Sequence, residues 1–117
     1  MAWEVIVVDE VEDWYLTLAQ DDPDTAEQVT AAIDVLAAQG PTLGRPLVDR
    51  VKGAGVHNLK ELRPGSVGGS EVRILFAFDP QRQAVLLVAG DKAGAWKAWY
   101  QTNIPVAVRR YQAWLAQ

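Results

Sequence analysis

The apolar periodicity of this chain changes once, near Val56, and that change constrains the fold more than any other feature. Before it, apolar residues recur at helical spacing: Val11, Trp14, Tyr15 and Leu18 fall at i, i+3, i+4 and i+7, one face of a helix. After it the period is two. VHNLKELR (56–63), EVRILFAF (71–78) and AVLLVAG (84–90) are three strand segments, separated by turn-rich stretches at 64–69 and 79–83. Consecutive strands joined by short turns imply an antiparallel meander, and the helices that precede it must cover that sheet.

The remaining elements follow from local signals. Residues 3–8 (WEVIVV) are β-branched and aromatic and predict a strand. Asp9, with Glu12 three residues on, has the spacing of a capping box and opens a helix reaching about residue 20. Asp22 supplies the next N-cap, and Pro23 tolerates the first turn because its missing N–H has no helical partner there. That second helix runs to about residue 39, with Ala26, Val29, Ile33, Leu36 and Ala37 as its buried stripe, and Gly40-Pro41 stops it. Residues 41–55 hold two prolines and three glycines and are expected to form a loop carrying Arg50 and Lys52. A last helix is expected from about Ile104-Pro105, after an Asn103 cap, burying Ile104, Val108, Tyr111 and Leu115. The expected fold is therefore α+β in a single domain over 1–117: N-terminal strand, helical hairpin, antiparallel meander sheet with helices on one face, and C-terminal helix.

Composition narrows the chemistry. There are no cysteines and one histidine, which removes thiolate nucleophiles, disulfides and any ordinary zinc cluster. No phosphate-cradling glycine loop and no nucleophile elbow occurs, so no cofactor or metal is expected. The acidic start lacks the basic region of a signal peptide, and the apolar runs fall short of the ~20 residues that span a bilayer. A cytoplasmic protein without membrane contact is expected. The net charge of −4 conceals an asymmetry: residues 1–50 hold eleven acids against two bases, and residues 51–117 hold nine bases against four acids. A local polyanion-facing surface in the second half fits that division.

The second half gathers His57, Lys60, Arg63, Arg73, Lys92, Lys97 and Tyr100 on the strands or just beyond them. Alternation in 71–78 puts Val72, Ile74, Phe76 and Phe78 on one face, so Arg73 points to the other. Arg63 and Arg73, on adjacent strands, can converge across the hairpin. Cleavage of RNA by its own 2′-hydroxyl needs a proton acceptor, cations for the pentacoordinate phosphate and a proton donor for the leaving oxygen. Guanidinium groups grip two phosphate oxygens at once, and His, Lys or Tyr can move protons. Trp96 and Trp99 are expected to pack rather than to bind bases.

The stretch from His57 to Gly94, HNLKELRPG…SEVRILFAFDPQRQAVLLVAGDKAG, resembles the central strands of HigB-like toxins in the RelE/ParE superfamily, and the tail WKAWYQTNIPVAVRRY resembles their C-terminal segment. The resemblance implies a toxin of a type II toxin–antitoxin system, a ribosome-dependent mRNA endoribonuclease working without metal and neutralised by a helix-turn-helix, HigA-like antitoxin. It places the family's phosphate-binding arginine on Arg73, the E-L-R arginine on Arg63 and the basic strand end on Lys92, with Lys60 and Tyr100 as further catalytic positions. His57 and Lys97 are expected to contact RNA. Two other outcomes share the fold: a ParE-like toxin that inhibits gyrase, and a non-catalytic module that binds an antitoxin.

Overall fold

A computed structural model describes residues 2–52 and 58–117. The elements in chain order are β1 (Glu4–Val7), α1 (Asp9–Asp21), α2 (Pro23–Gln39), a 3-10 turn (Gly40–Thr42), β2 (Val48–Arg50), β3 (Lys60–Leu62), β4 (Val72–Phe78), β5 (Gln83–Asp91) and α3 (Trp96–Leu115). They form the expected α+β fold. The five strands lie in the order β1-β5-β4-β3-β2. The meander β3-β4-β5 is antiparallel, with Glu61 opposite Leu75 and Arg73 opposite Gly90. β1 adds to its edge in parallel, Glu4 opposite Gln83, so the sheet is mixed. β2 forms the other edge, where the sequence suggested only loop. Three residues between prolines and glycines carry too little pattern to declare a strand, and it is pairing with β3 that makes them one.

Helices cover both faces rather than one. Val11, Val29, Ala32 and Leu36 of α1 and α2 pack on Val72, Ile74, Phe76 and Leu86. On the opposite face Ala107 and Tyr111 of α3 pack on Leu75, Ala77, Val85 and Leu87. The reason is visible in β4 and β5, where every residue from Ile74 to Ala77 and from Ala84 to Val88 is buried. A strand that is apolar at successive positions presents two faces that water must not reach.

Local signals performed unevenly. Asp22 caps α2 through both carboxylate oxygens, accepting from Thr25 N at 3.3 Å and Thr25 Oγ1 at 2.6 Å. The capping box at α1 does not form. Val8 occupies the N-cap with no side-chain bond, and Asp9, Glu10 and Glu12 instead sit in the first turn, where the helix dipole favours carboxylates. α3 begins eight residues earlier than Pro105 suggested and carries that proline inside it. Packing of Trp99, Tyr100 and Ile104 against the sheet outweighs the proline's penalty. At its far end Leu115 is 49% exposed, against the expected burial. Trp114 turns in instead and donates to Asp79 at 2.9 Å.

A cationic cluster around a buried carboxylate

The α3-side face of the sheet carries a polar site at the edge of its apolar core. β3 aims Glu61 at this face, next to Leu75 of β4. Arg73 enters from β4 two positions before Leu75, and Lys92 follows the end of β5, its backbone N–H bonded to Glu71 O at 3.0 Å. α3 then lays Tyr100 across the group. Glu61 is 4% exposed and stands at the centre. The Tyr100 hydroxyl donates to its Oε1 at 2.5 Å and lies 3.1 Å from Oε2. Arg63 Nη2 is 3.4 Å from Glu61 Oε2, and Arg73 Nε is 3.6 Å from Oε1. Glu71 Oε2 lies 3.9 Å from both Arg73 Nη2 and Lys92 Nζ, and that ammonium sits 5.4 Å from the centre of the Tyr100 ring.

Register explains why arginine is needed at position 63. Asp49 on β2 faces Glu61 directly across the strands, a like-charge pair that disfavours the sheet. Arg63 Nη2 reaches both carboxylates, at 3.3 Å and 3.4 Å. Arg45 also pairs with Asp49 at 3.0 Å, and this bond, with the Arg50 backbone N–H, lowers the Asp49 pKa from its ordinary value. Tyr100 is shifted the other way. Burial first, then the bond to Glu61 and the charge of Glu61, push its hydroxyl up to about 12, so it keeps its proton at neutral pH. Two guanidinium nitrogens, Arg63 Nε and Arg73 Nε, are buried without a hydrogen-bond partner. Arg73 Nε faces Glu61 Oε1 at 3.6 Å, beyond hydrogen-bond length, and buried donors left without a bond are costly.

Four of the residues expected to act together, Arg63, Arg73, Lys92 and Tyr100, are thus brought into one cluster. Lys60 is not. It alternates with Glu61 on β3 and shares the face of Leu62, which packs under the α1–α2 hairpin. Lys97 is exposed on the first turn of α3, beside the cluster rather than in it. His57 lies outside the described residues. Glu61 was not among the residues expected at the site. Its signal was the i, i+2 spacing from Arg63, which already put both on one face. Sequence reading also missed Gly90, opposite Arg73: a Cβ there would stand 2.6 Å from the Trp99 indole nitrogen, so only glycine lets that ring lie over the strand. Among the described residues no group of His, Cys, Asp or Glu could hold a metal ion, and no helix is long and apolar enough to cross a membrane.

Comparison with solved structures places the fold. It matches an arginine-to-alanine double mutant of the E. coli toxin RelE in the free state, with a TM-score of 0.63 over 94% of this chain and 98% of that one, at 12% identity. The architecture is therefore that of the RelE-like toxins. Relatives in sequence narrow the class. The chain is 54% identical over 112 residues to "Putative toxin HigB3" of Mycobacterium tuberculosis (strain ATCC 25618 / H37Rv), covering 96% of this chain and 93% of that protein. It is 58% identical over 96 residues to "Putative toxin HigB2" of the same strain, covering 82% of this chain and 48% of that protein. The family model described as phage derived protein Gp49-like (DUF891) matches residues 17–112. The chain belongs to this Gp49-like family of HigB toxins, the toxin halves of toxin–antitoxin systems. Membership implies a cognate antitoxin.

Proposed function

We propose that this toxin is a ribosome-dependent mRNA endoribonuclease that cuts by attack of the 2′-hydroxyl, acts in the cytoplasm, and is restrained by a helix-turn-helix antitoxin of the HigA kind. The observation that carries the reading is the convergence of Arg63, Arg73 and Lys92 on Glu61 and Tyr100, with two buried guanidinium nitrogens unpartnered. A scissile phosphate drawn between Arg63 and Arg73 meets two guanidinium groups, and its charge in the pentacoordinate state is met by cations already in place. Glu61 is the one carboxylate buried at the centre, suited to take the proton from the 2′-oxygen as that oxygen bonds to phosphorus. Tyr100, protonated at neutral pH, gives its proton to the departing 5′-oxygen, leaving a 2′,3′-cyclic phosphate and a 5′-hydroxyl. Lys92 holds the neighbouring backbone negative charge.

One observation favours a non-catalytic role: each of the three cations already has a carboxylate within 4 Å, so much of the cluster's charge is balanced without RNA. The decisive experiment is induction of wild type and Arg73→Ala without antitoxin, followed by mapping of mRNA 5′ ends on translating ribosomes. Wild type is expected to arrest growth and cut translated mRNA, and Arg73→Ala to lose at least about 100-fold in cleavage rate, the scale of removing one preorganised charge donor. Arg73→Lys, which keeps a cation for Glu61, guards against a folding defect. Full cleavage by Arg73→Ala refutes the site. Growth arrest with gyrase inhibition and intact mRNA supports the ParE-like mode instead.

A further inference from the structure

The apolar stripe of α3 outruns the sheet that buries it. Ile104, Tyr100 and Trp96 follow one another at i, i+4 and i+8 along a single helix face. Ile104 packs into the core, Tyr100 reaches Glu61, and Trp96, one turn further out, is 62% exposed. Trp99, its neighbour in sequence, finds a place over Gly90, and Trp96 finds none. A groove of about 360 Å³ opens here, lined by Trp96, Lys97, Tyr100, Gln101, Ile104 and Pro105. Its chemistry is an aromatic floor with a cation and an amide at the rim. Pro105 also lacks the helical N–H that would otherwise reach the Gln101 carbonyl.

Tyr100 belongs to both places. Its hydroxyl ends on the cationic cluster, and its ring forms part of this groove, so the two are continuous. One helical turn, about 5–6 Å, separates Tyr100 from Trp96. We infer that the Trp96 groove is a nucleobase subsite, in which an unpaired RNA base next to the bound phosphate stacks on the Trp96 indole with Lys97 and Gln101 at its edge. It rests on the nuclease reading for the choice of RNA as occupant. Stacking on an aromatic ring tolerates any base, whereas the Gln101 amide at the rim can discriminate among base edges.

The test uses the full chain labelled with 15N at its tryptophan indoles and a fully 2′-O-methylated RNA tetranucleotide, which cannot be cut by 2′-attack. Loss of one resonance in Trp96→Phe assigns the Trp96 signal. Titration is expected to shift that signal and to leave Trp114, bonded to Asp79, unmoved. Trp96→Ala is expected to raise the Kd roughly 5- to 150-fold, the range for one lost base–aromatic stack, and Trp96→Phe to recover most of it. Because the side chain is largely exposed, neither change removes core packing. A Trp96 signal that stays still, a Kd unchanged by Trp96→Ala, or absence of any binding at millimolar RNA overturns the subsite. The nuclease reading fails separately, if Trp96 shifts with RNA yet translated mRNA is never cut. It survives alone, if Arg73-dependent cleavage proceeds at the wild-type rate in Trp96→Ala.

Discussion

At Glu61 three side chains share two carboxylate oxygens: Tyr100 and Arg73 at Oε1, Arg63 at Oε2, with Tyr100 also 3.1 Å from Oε2. Strand alternation predicted that Arg73 leaves the hairpin-side core, and it does. The same alternation separates Lys60 from Glu61 and sets Glu61 on the face of Arg63. What it could not supply was burial, since Glu61 is enclosed only because α3 crosses above it. Tyr100 gives the sharpest residue-level prediction. Its folded pKa, about 12, lies above its unfolded value near 10, so the fold favours the protonated form. The resulting stability is complete below pH 10 and is lost as pH rises from about 10 to about 12. Urea midpoints measured across that window are expected to fall more steeply in wild type than in Tyr100→Phe. Parallel curves would show that neither burial nor Glu61 holds the proton on the hydroxyl.

Among the elements, α2 and β1 meet at a contact that tolerates no side chain. Gly40 closes α2 at φ +57°, and a Cβ there would come within 2.3 Å of the Trp3 ring. Trp3 is held in turn by its N–H bond to Ala37 O at 2.7 Å and by an edge-on contact with Phe78, ring centres 5.0 Å apart. Gly40→Ala therefore combines a strained backbone with overpacking and is expected to cost about 2–4 kcal/mol in denaturant unfolding. A loss below about 1 kcal/mol would mean that Trp3 moves aside freely. Helix existence was legible wherever the 3.6-residue period was sustained, as in α1 and α2. Boundaries were legible only where one local device dominates, as Asp22 does for α2. Pro105 misled because a proline's usual place in the first turn is a local preference, and α3 is held by its contacts with β4 and β5.

Across the whole molecule the charge is divided between two ends of the sequence, and the fold confines the cations of the site to one face. Among the described residues Arg63, Arg73 and Lys92 converge on Glu61 and Glu71, with Lys97 at the rim. RNA bound by three phosphate-contacting cations is expected to show a log Kd against log salt slope of about 2 in magnitude, at roughly 0.7 per contact on a single strand. Titrations of the methylated tetranucleotide between 50 and 300 mM salt give that slope directly. A magnitude near 5 or more would mean that further cations outside the cluster take part. If the proposed function holds, the ribosome, itself a polyanion, is met with the acidic α1–α2 side turned away.

The order of elements, the meander and the outward turn of Arg73 were determined by the sequence, because period, turn chemistry and strand alternation act over a few residues. The parallel pairing of β1 with β5, the second helical layer on the opposite face and the short β2 edge were decided in three dimensions. Each joins segments beyond the reach of local preference, from about a dozen residues apart for β2 and β3 to nearly eighty for β1 and β5. The site lies on the same boundary. Its arginines could be named from the strand pattern, but Glu61 became its centre only when register set it beside Asp49 and Arg73, and α3 shut out the water.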